Sequence, residues 1–200
     1  MSATLRSRLP FAERRRVILD AALGLFAKRG FRGVSVEAIA AAANITKPVL
    51  YDHFPSKQRL FLEVVREIRA KLMSLGATAL SSGADRRQAV RAAVDAFFLF
   101  SETNPGAIRV LLTSPDGIKG LKRELNRIQD EVTVGLVGLL TEKVLKDSPG
   151  ARKLPELKLQ VEFIKQGMHG LAKWWPEQKQ VSRSDLTGAV MSVVWKGLAR

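Results

Sequence analysis

The sequence predicts an all-α protein. Apolar residues recur at spacings of three and four along nearly the whole chain, and stretches of alternating Val, Ile and Thr that would mark strands are missing. Of 200 residues, 46% are hydrophobic and 26% charged, a balance with enough apolar surface to offset the entropy of ordering the chain. Such a length fits one large domain, or a small domain joined to a larger one.

Taken in order, Ile18, Ala21, Ala22, Leu25 and Phe26 form the stripe of a first helix over 12–29. Lys28 and Arg29 place cations in its last turn, and Gly30 can adopt the positive φ of a helix cap. Ser35 offers an N-cap oxygen ahead of Val36, Ile39, Ala40 and Ala43, predicting a short second helix over 36–43. Asn44 tolerates positive φ. Thr46 is placed to cap a third helix over 47–53, where Pro48 costs no hydrogen bond in the first turn. Phe54-Pro55-Ser56 ends it, and Ser56 caps a fourth helix carrying Leu60, Phe61, Val64, Val65, Ile68 and Leu72 to about 73.

Ser74 to Asp85 has turn composition and is expected to hold a boundary or a frayed helix end. Helical patterns then resume over 86–101, 105–114, 118–146, 155–175 and 184–199. Asn104-Pro105, Ser114-Pro115, Pro149-Gly150 and Pro176 separate them.

The charge narrows the function. Thirty-three basic against 19 acidic residues give +14, and the first 71 residues hold 14 of the basic and six of the acidic ones. A polyanionic partner fits, as does a merely soluble basic surface. The absence of cysteine excludes disulfides, thiolate zinc sites and a catalytic thiol, and agrees with a cytoplasmic setting. The longest uncharged apolar run, Val132 to Leu140, falls far short of the roughly 20 residues of a spanning helix. The N-terminal arginines leave no apolar core for a secretory signal. No membrane association or export is expected.

Two short helices joined by a tight turn, 35–43 and 46–53, have the layout of a helix-turn-helix. A helix fits the major groove of B-DNA, its partner braces it on the backbone, and residues near its start reach base edges. Leu50 and Phe54, four apart, must face the core, which turns Lys47 and Tyr51 outward.

The run Ser35-Val36-Glu37-Ala38-Ile39-Ala40, followed by Ala43-Asn44-Ile45-Thr46-Lys47-Pro48-Val49-Leu50-Tyr51-Asp52-His53-Phe54-Pro55-Ser56-Lys57, resembles the signature of the tetracycline-repressor (TetR) family of bacterial transcription regulators. The resemblance spans about 11 to 65. Asn44 stands where that family usually has glycine, and Asp52 lies inside the recognition helix, where a carboxylate accepts from a cytosine amino group or pairs with a neighbouring cation.

The resemblance implies a three-helix DNA-binding domain over 1–56, a connecting fourth helix over 57–73, and a helical effector-binding and dimerisation domain over 74–200. It assigns phosphate contacts to Tyr51, His53 and Lys57, places Thr46, Lys47, Pro48 and Val49 against bases or groove wall, and puts Ser35 at the opening of the second helix. Arg14, Arg15 and Arg16 are either a solvated face or an arm that tracks the minor groove. The partners implied are a pseudo-palindromic duplex, a small-molecule effector and a second copy of the chain.

The remainder carries no ligand motif. Phe163, Gly167, Gly170 and Trp174 share one face of the eighth helix, and Val190, Val194, Trp195 and Leu198 one face of the ninth, which suggests a dimer interface or close internal packing. The fifth, sixth and eighth helices hold more apolar bulk than one stripe needs. Phe97, Phe98, Phe100, Leu111, Leu112, Phe163 and Met168 are thus candidate walls of an effector cavity, with Arg109 to pair an acidic group. The two histidines, His53 and His169, are far apart, and no phosphate-binding glycine loop, HExxH or nucleophile elbow occurs. Neither catalysis, a metal nor a cofactor is expected. The alternative is a basic all-α protein that binds DNA without sequence preference or effector control.

Overall fold

The computed structural model describes residues 9–82, 85–113, 118, 120–145 and 154–198. Among them it has nine α-helices and no strand: α1 (Phe11–Arg29), α2 (Val36–Ala42), α3 (Lys47–His53), α4 (Lys57–Ser82), α5 (Arg86–Thr103), α6 (Pro105–Leu112), α7 (Leu121–Lys143), α8 (Leu154–Trp174) and α9 (Arg183–Leu198). A 3-10 turn at Trp175–Glu177 holds Pro176 after α8. The expected breaks at Ser114-Pro115 and Pro149-Gly150 lie outside the described residues.

The short N-terminal helices are bounded by local hydrogen bonding. Gly30 ends α1 at φ 66° and ψ 173°, a region that essentially only glycine enters. Ser35 Oγ accepts from the Ala38 amide at 3.1 Å, Asn44 turns the chain at φ 53°, and Ser56 Oγ accepts from the Arg59 amide at 3.1 Å. Thr46 occupies the cap position of α3, but its side chain makes no cap bond. It is exposed and its hydroxyl is free of that duty.

The fourth helix corrects the sequence reading. It runs to Ser82, nine residues past the expected end, straight through Gly76. A glycine inside a helix costs about 1 kcal/mol relative to alanine, and here tertiary packing outweighs it. Leu80 is buried against Val90 and Val94, while the Ser81 and Ser82 hydroxyls donate to the Ala77 and Ala79 carbonyls within the helix. Asp85 then caps α5 by accepting from the Gln88 amide at 2.8 Å.

Two principal hydrophobic clusters organise the packing. The first joins Ile18 and Phe26 of α1, Ile39 of α2, Leu50 of α3 and Phe61 of α4 to Ile108 and Leu111 of α6 and Ile128 of α7. Each such fully buried side chain contributes about 1.5–3 kcal/mol. α6 lies close on α1, since a Cβ at Gly106 would stand 3.3 Å from the Ala27 Cβ. The second cluster gathers Leu80, Val90, Val94 and Phe98 with Leu186, Val190 and Val194. Val190 and Val194 are therefore internal core of one protomer, a correction to the expected interface face of α9, because that face closes on α5.

Candidate nucleic-acid interface and interior cavity

α3 is anchored by Leu50, fully buried, and by Phe54 just beyond its end. That anchoring leaves Thr46, Lys47, Pro48 and Tyr51 exposed, with Val49 half-buried. Tyr51 keeps 42% of its surface accessible, which excludes a core aromatic. Lys47 Nζ donates to Glu37 Oε1 of α2 at 2.5 Å and lies 6.0 Å from the Tyr51 ring centre. This bond raises the Lys47 ammonium and lowers the Glu37 carboxyl from their ordinary values.

Lys57, at the first position of α4, is built into the turn that precedes α2. Its Nζ donates to the Phe31 carbonyl at 3.1 Å and the Val34 carbonyl at 2.9 Å, over the Phe31 ring. An ammonium has three donors, so one remains beyond these two bonds. Ser35 lies beside this turn with its hydroxyl committed to the cap. The His53 ring stacks on Phe11 with centroids 4.0 Å apart, and its Nδ1 is buried without a partner. Burial, then Arg14, lowers its pKa against the opposing charge of Asp52.

The arginine triplet separates into roles. Arg15 bonds Glu63 Oε2 of α4 at 2.9 Å and covers the Phe54 ring. Arg14 donates to the Leu9 carbonyl at 3.1 Å. Arg16 is exposed. The Arg15–Glu63 tie and the Phe11–His53 stack were not apparent in the sequence, because both join residues some 40 positions apart or more.

A cavity of about 180 Å³ opens between α4, α5, α7, α8 and α9, with Leu111 of α6 in its wall. Leu72, Met73, Val94, Phe97, Val132 and Leu136 supply much of its apolar surface. Of the residues named from the sequence as candidate walls, Phe97, Leu111 and Met168 line it. Phe98 and Phe100 are instead buried in the two clusters, Leu112 packs on the first cluster, and Arg109 is exposed. Phe163 is 70% exposed. On α8 the stripe Val161, Ile164, Lys165 and Met168 faces the cavity, and helical geometry then sends Phe163 to the opposite side.

Four polar side chains also reach the cavity: Arg69, Gln129, Lys165 and His169. Arg69, Gln129 and Lys165 were not read from the sequence, although Arg69 shares a face with Val65 and Leu72, and Lys165 with Val161 and Met168, so charge inside an apolar stripe was the available signal. Burial lowers the Arg69 guanidinium to about 10, with Glu162 opposing, so it stays cationic at neutral pH. Burial, then Lys165 and Arg69, lowers His169 to about 4.

The outer face of α8 exposes Leu159, Phe163 and Trp174, with Gly167 and Gly170 between them. Val193 of α9 is 61% exposed, and Trp195 packs on the second cluster. The Leu198 side chain lies outside the described residues. No group of three or more metal-ligating side chains occurs among the described residues, and none of the helices searched there is long and apolar enough to cross a membrane.

The short helix pair with an outward, polar recognition face is a helix-turn-helix of the DNA-binding kind. Residues 18–64 match the model of the tetR family of bacterial regulatory proteins. Over 143 residues the chain is 30% identical to the nucleoid occlusion factor SlmA of Yersinia enterocolitica, covering 68% of this chain and 71% of that protein. The chain belongs to the tetR family. It is 42% identical over 105 residues to the HTH-type transcriptional activator FasR of Mycolicibacterium smegmatis, an alignment covering 52% of this chain and about half of that relative, 48%. The transcriptional regulator FadR of Bacillus subtilis, solved in complex with stearoyl-CoA, superposes with a TM-score of 0.74 at 18% identity, over 91% of this chain and 98% of that one.

Proposed function

We propose that the chain is a sequence-specific transcriptional regulator of the cytoplasm, a repressor that a small, largely apolar effector releases from its operator. Residues 1–56 form the DNA-binding unit, α4 is the connector, and residues beyond it form the effector and dimerisation unit. Ser35, Thr46, Lys47, Pro48, Val49, Tyr51, His53 and Lys57 compose the DNA face. Phe97, Leu111 and Met168 belong to the effector wall. Phe163, Gly167, Gly170 and Trp174 carry the homodimer contact. No catalytic role is assigned.

The observation that carries this reading is the shared wall. Leu72 and Leu111 line the cavity and pack on the same cluster that holds α1, α2 and α3 together. A ligand that fills the cavity acts on α4 and α6, and through them on the spacing of two recognition helices in a dimer. Release requires differential affinity: the ligand must prefer the arrangement in which the half-site spacing is lost. The complex of stearoyl-CoA with FadR supports a ligand-responsive fold of this shape.

Selection of bound duplexes from a random pool, followed by titration of the selected and scrambled sequences at fixed salt, tests the reading. The expected result is a specificity ratio of about 10³ or more. Equal affinities would favour the second reading, DNA binding without sequence preference.

A further inference from the structure

The polar groups at the cavity are not equivalent. Lys165, only 7% exposed, donates to Glu162 Oε2 at 2.6 Å, to Thr133 Oγ1 at 2.5 Å and to the Gln129 carbonyl at 3.4 Å. Glu162 also accepts from Thr133 at 2.7 Å and from Gln166 at 2.7 Å. That ion pair is closed and neutral. Arg69 is 9% exposed; its Nε has no partner, and no ion pair forms with its guanidinium among the described residues. The Gln129 side-chain oxygen is likewise buried without a partner.

A buried guanidinium without a counter-ion is costly, whereas a paired and hydrogen-bonded one is tolerated. With Lys165 and Glu162 paired to each other, the cavity thus holds a net positive charge at Arg69 on a largely apolar wall. An oxyanion at Arg69 would accept from the guanidinium and neutralise that charge. It would also accept from Gln129 once the amide turns its nitrogen inward, an exchange of two ends of nearly identical shape.

Resting on the reading of this cavity as the effector site, we propose that its ligand is a small free monocarboxylic acid, with the carboxylate on Arg69 and Gln129 and the tail against the apolar wall. The volume of about 180 Å³ is comparable with an apolar cavity of roughly 150 Å³ that takes benzene, which points to an acid of about six to ten carbons. A coenzyme A thioester fits less well, because its acyl carbonyl carries no charge for Arg69.

Calorimetric titration of the full chain with octanoate, octanamide and octanoyl-CoA tests this without any substitution. Octanoate is expected to bind about 10- to 100-fold more tightly than octanamide, the range of one charge-assisted hydrogen-bonded pair. Arg69→Gln should erase that difference and leave octanamide unchanged, while Arg69→Lys keeps part of it. Equal binding of acid and amide, no heat from either, a difference that survives Arg69→Gln, or tighter binding of the thioester each overturns the proposal. The same samples are titrated with the selected duplex. Octanoate binding with charge preference but without effect on the duplex overturns effector release and leaves the acid site standing. Duplex specificity without octanoate binding does the reverse.

Discussion

Lys47 Nζ lies 2.5 Å from Glu37 Oε1, so the first residue of the recognition helix is held by the first turn of the helix before it. Both side chains are exposed. A duplex seated on α3 must compete with Glu37 for this ammonium, and the carboxylate repels phosphate as the two approach. Glu37→Gln is expected to tighten binding to random duplex and steepen the salt dependence by about one counterion. Lys47→Ala should instead alter the ranking of operator variants by about 1–3 kcal/mol at one base position. Uniform weakening across all variants would move Lys47 into the phosphate class.

Lys57 and Tyr51 are separable by stability. Lys57 satisfies two carbonyls of the turn before α2, so Lys57→Ala is expected to lower stability by about 1–3 kcal/mol. It should also weaken operator and scrambled duplex in similar proportion, because phosphate contacts position without reading sequence. Tyr51→Phe removes only an exposed hydroxyl and should weaken both duplexes with an unchanged melting temperature. A normal melting temperature for Lys57→Ala would contradict its place in the turn.

Gly167 separates interface from fold. A Cβ at this position meets nothing within 4 Å inside the protomer, so a larger side chain is accommodated there and the helix gains propensity by about 1 kcal/mol. Gly167→Leu is therefore expected to retain full helicity by circular dichroism while sedimenting as a monomer, and Phe163→Glu likewise. Dimers of unchanged affinity in both variants would remove the outer face of α8 from the interface.

How much was legible in the sequence follows from the range of the interactions. Ser35, Asn44 and Ser56 act on neighbours within three residues, so the limits of the helix-turn-helix could be read directly. Leu50 and Phe54 reveal by spacing alone which side of α3 is buried. The cavity could not be read that way. Spacing shows that Phe97 and Phe98 are both inward candidates, but the packing of α5 between two neighbours sends Phe97 to the cavity and Phe98 into the second cluster. Arg69 and Lys165 look like surface residues by type, and only tertiary packing buries them. The extension of α4 through Gly76 depends on Leu80 finding α5, a contact no local pattern encodes.

The buried groups around the cavity also set the response to acid. His169 has its pKa lowered from 6.5 to about 4, first by burial and then by Lys165 and Arg69, with Glu162 opposing. As pH falls from 6.5 towards 4, the unfolded chain takes up a proton that the folded chain refuses, so stability falls across that window by up to about 3 kcal/mol and changes no further from this group below it. Glu162 follows at lower pH. Burial raises its carboxyl, but hydrogen bonds from Lys165, Gln166 and Thr133 outweigh that and lower it from 4.5 to about 2; its stabilisation is present above 4.5 and lost as pH falls towards 2. His53 is shifted in the same direction as His169, so it supplies a residual slope. Thermal melts at pH 7 and pH 5 should show a lower midpoint at pH 5 for the wild type and a smaller drop for His169→Gln. Octanoate should narrow the wild-type drop, because an anion beside Arg69 offsets the field that keeps His169 neutral. A wild-type midpoint equal at the two pH values, or a His169→Gln drop as large as the wild type's, would show that His169 protonates as freely in the folded chain as in the unfolded one.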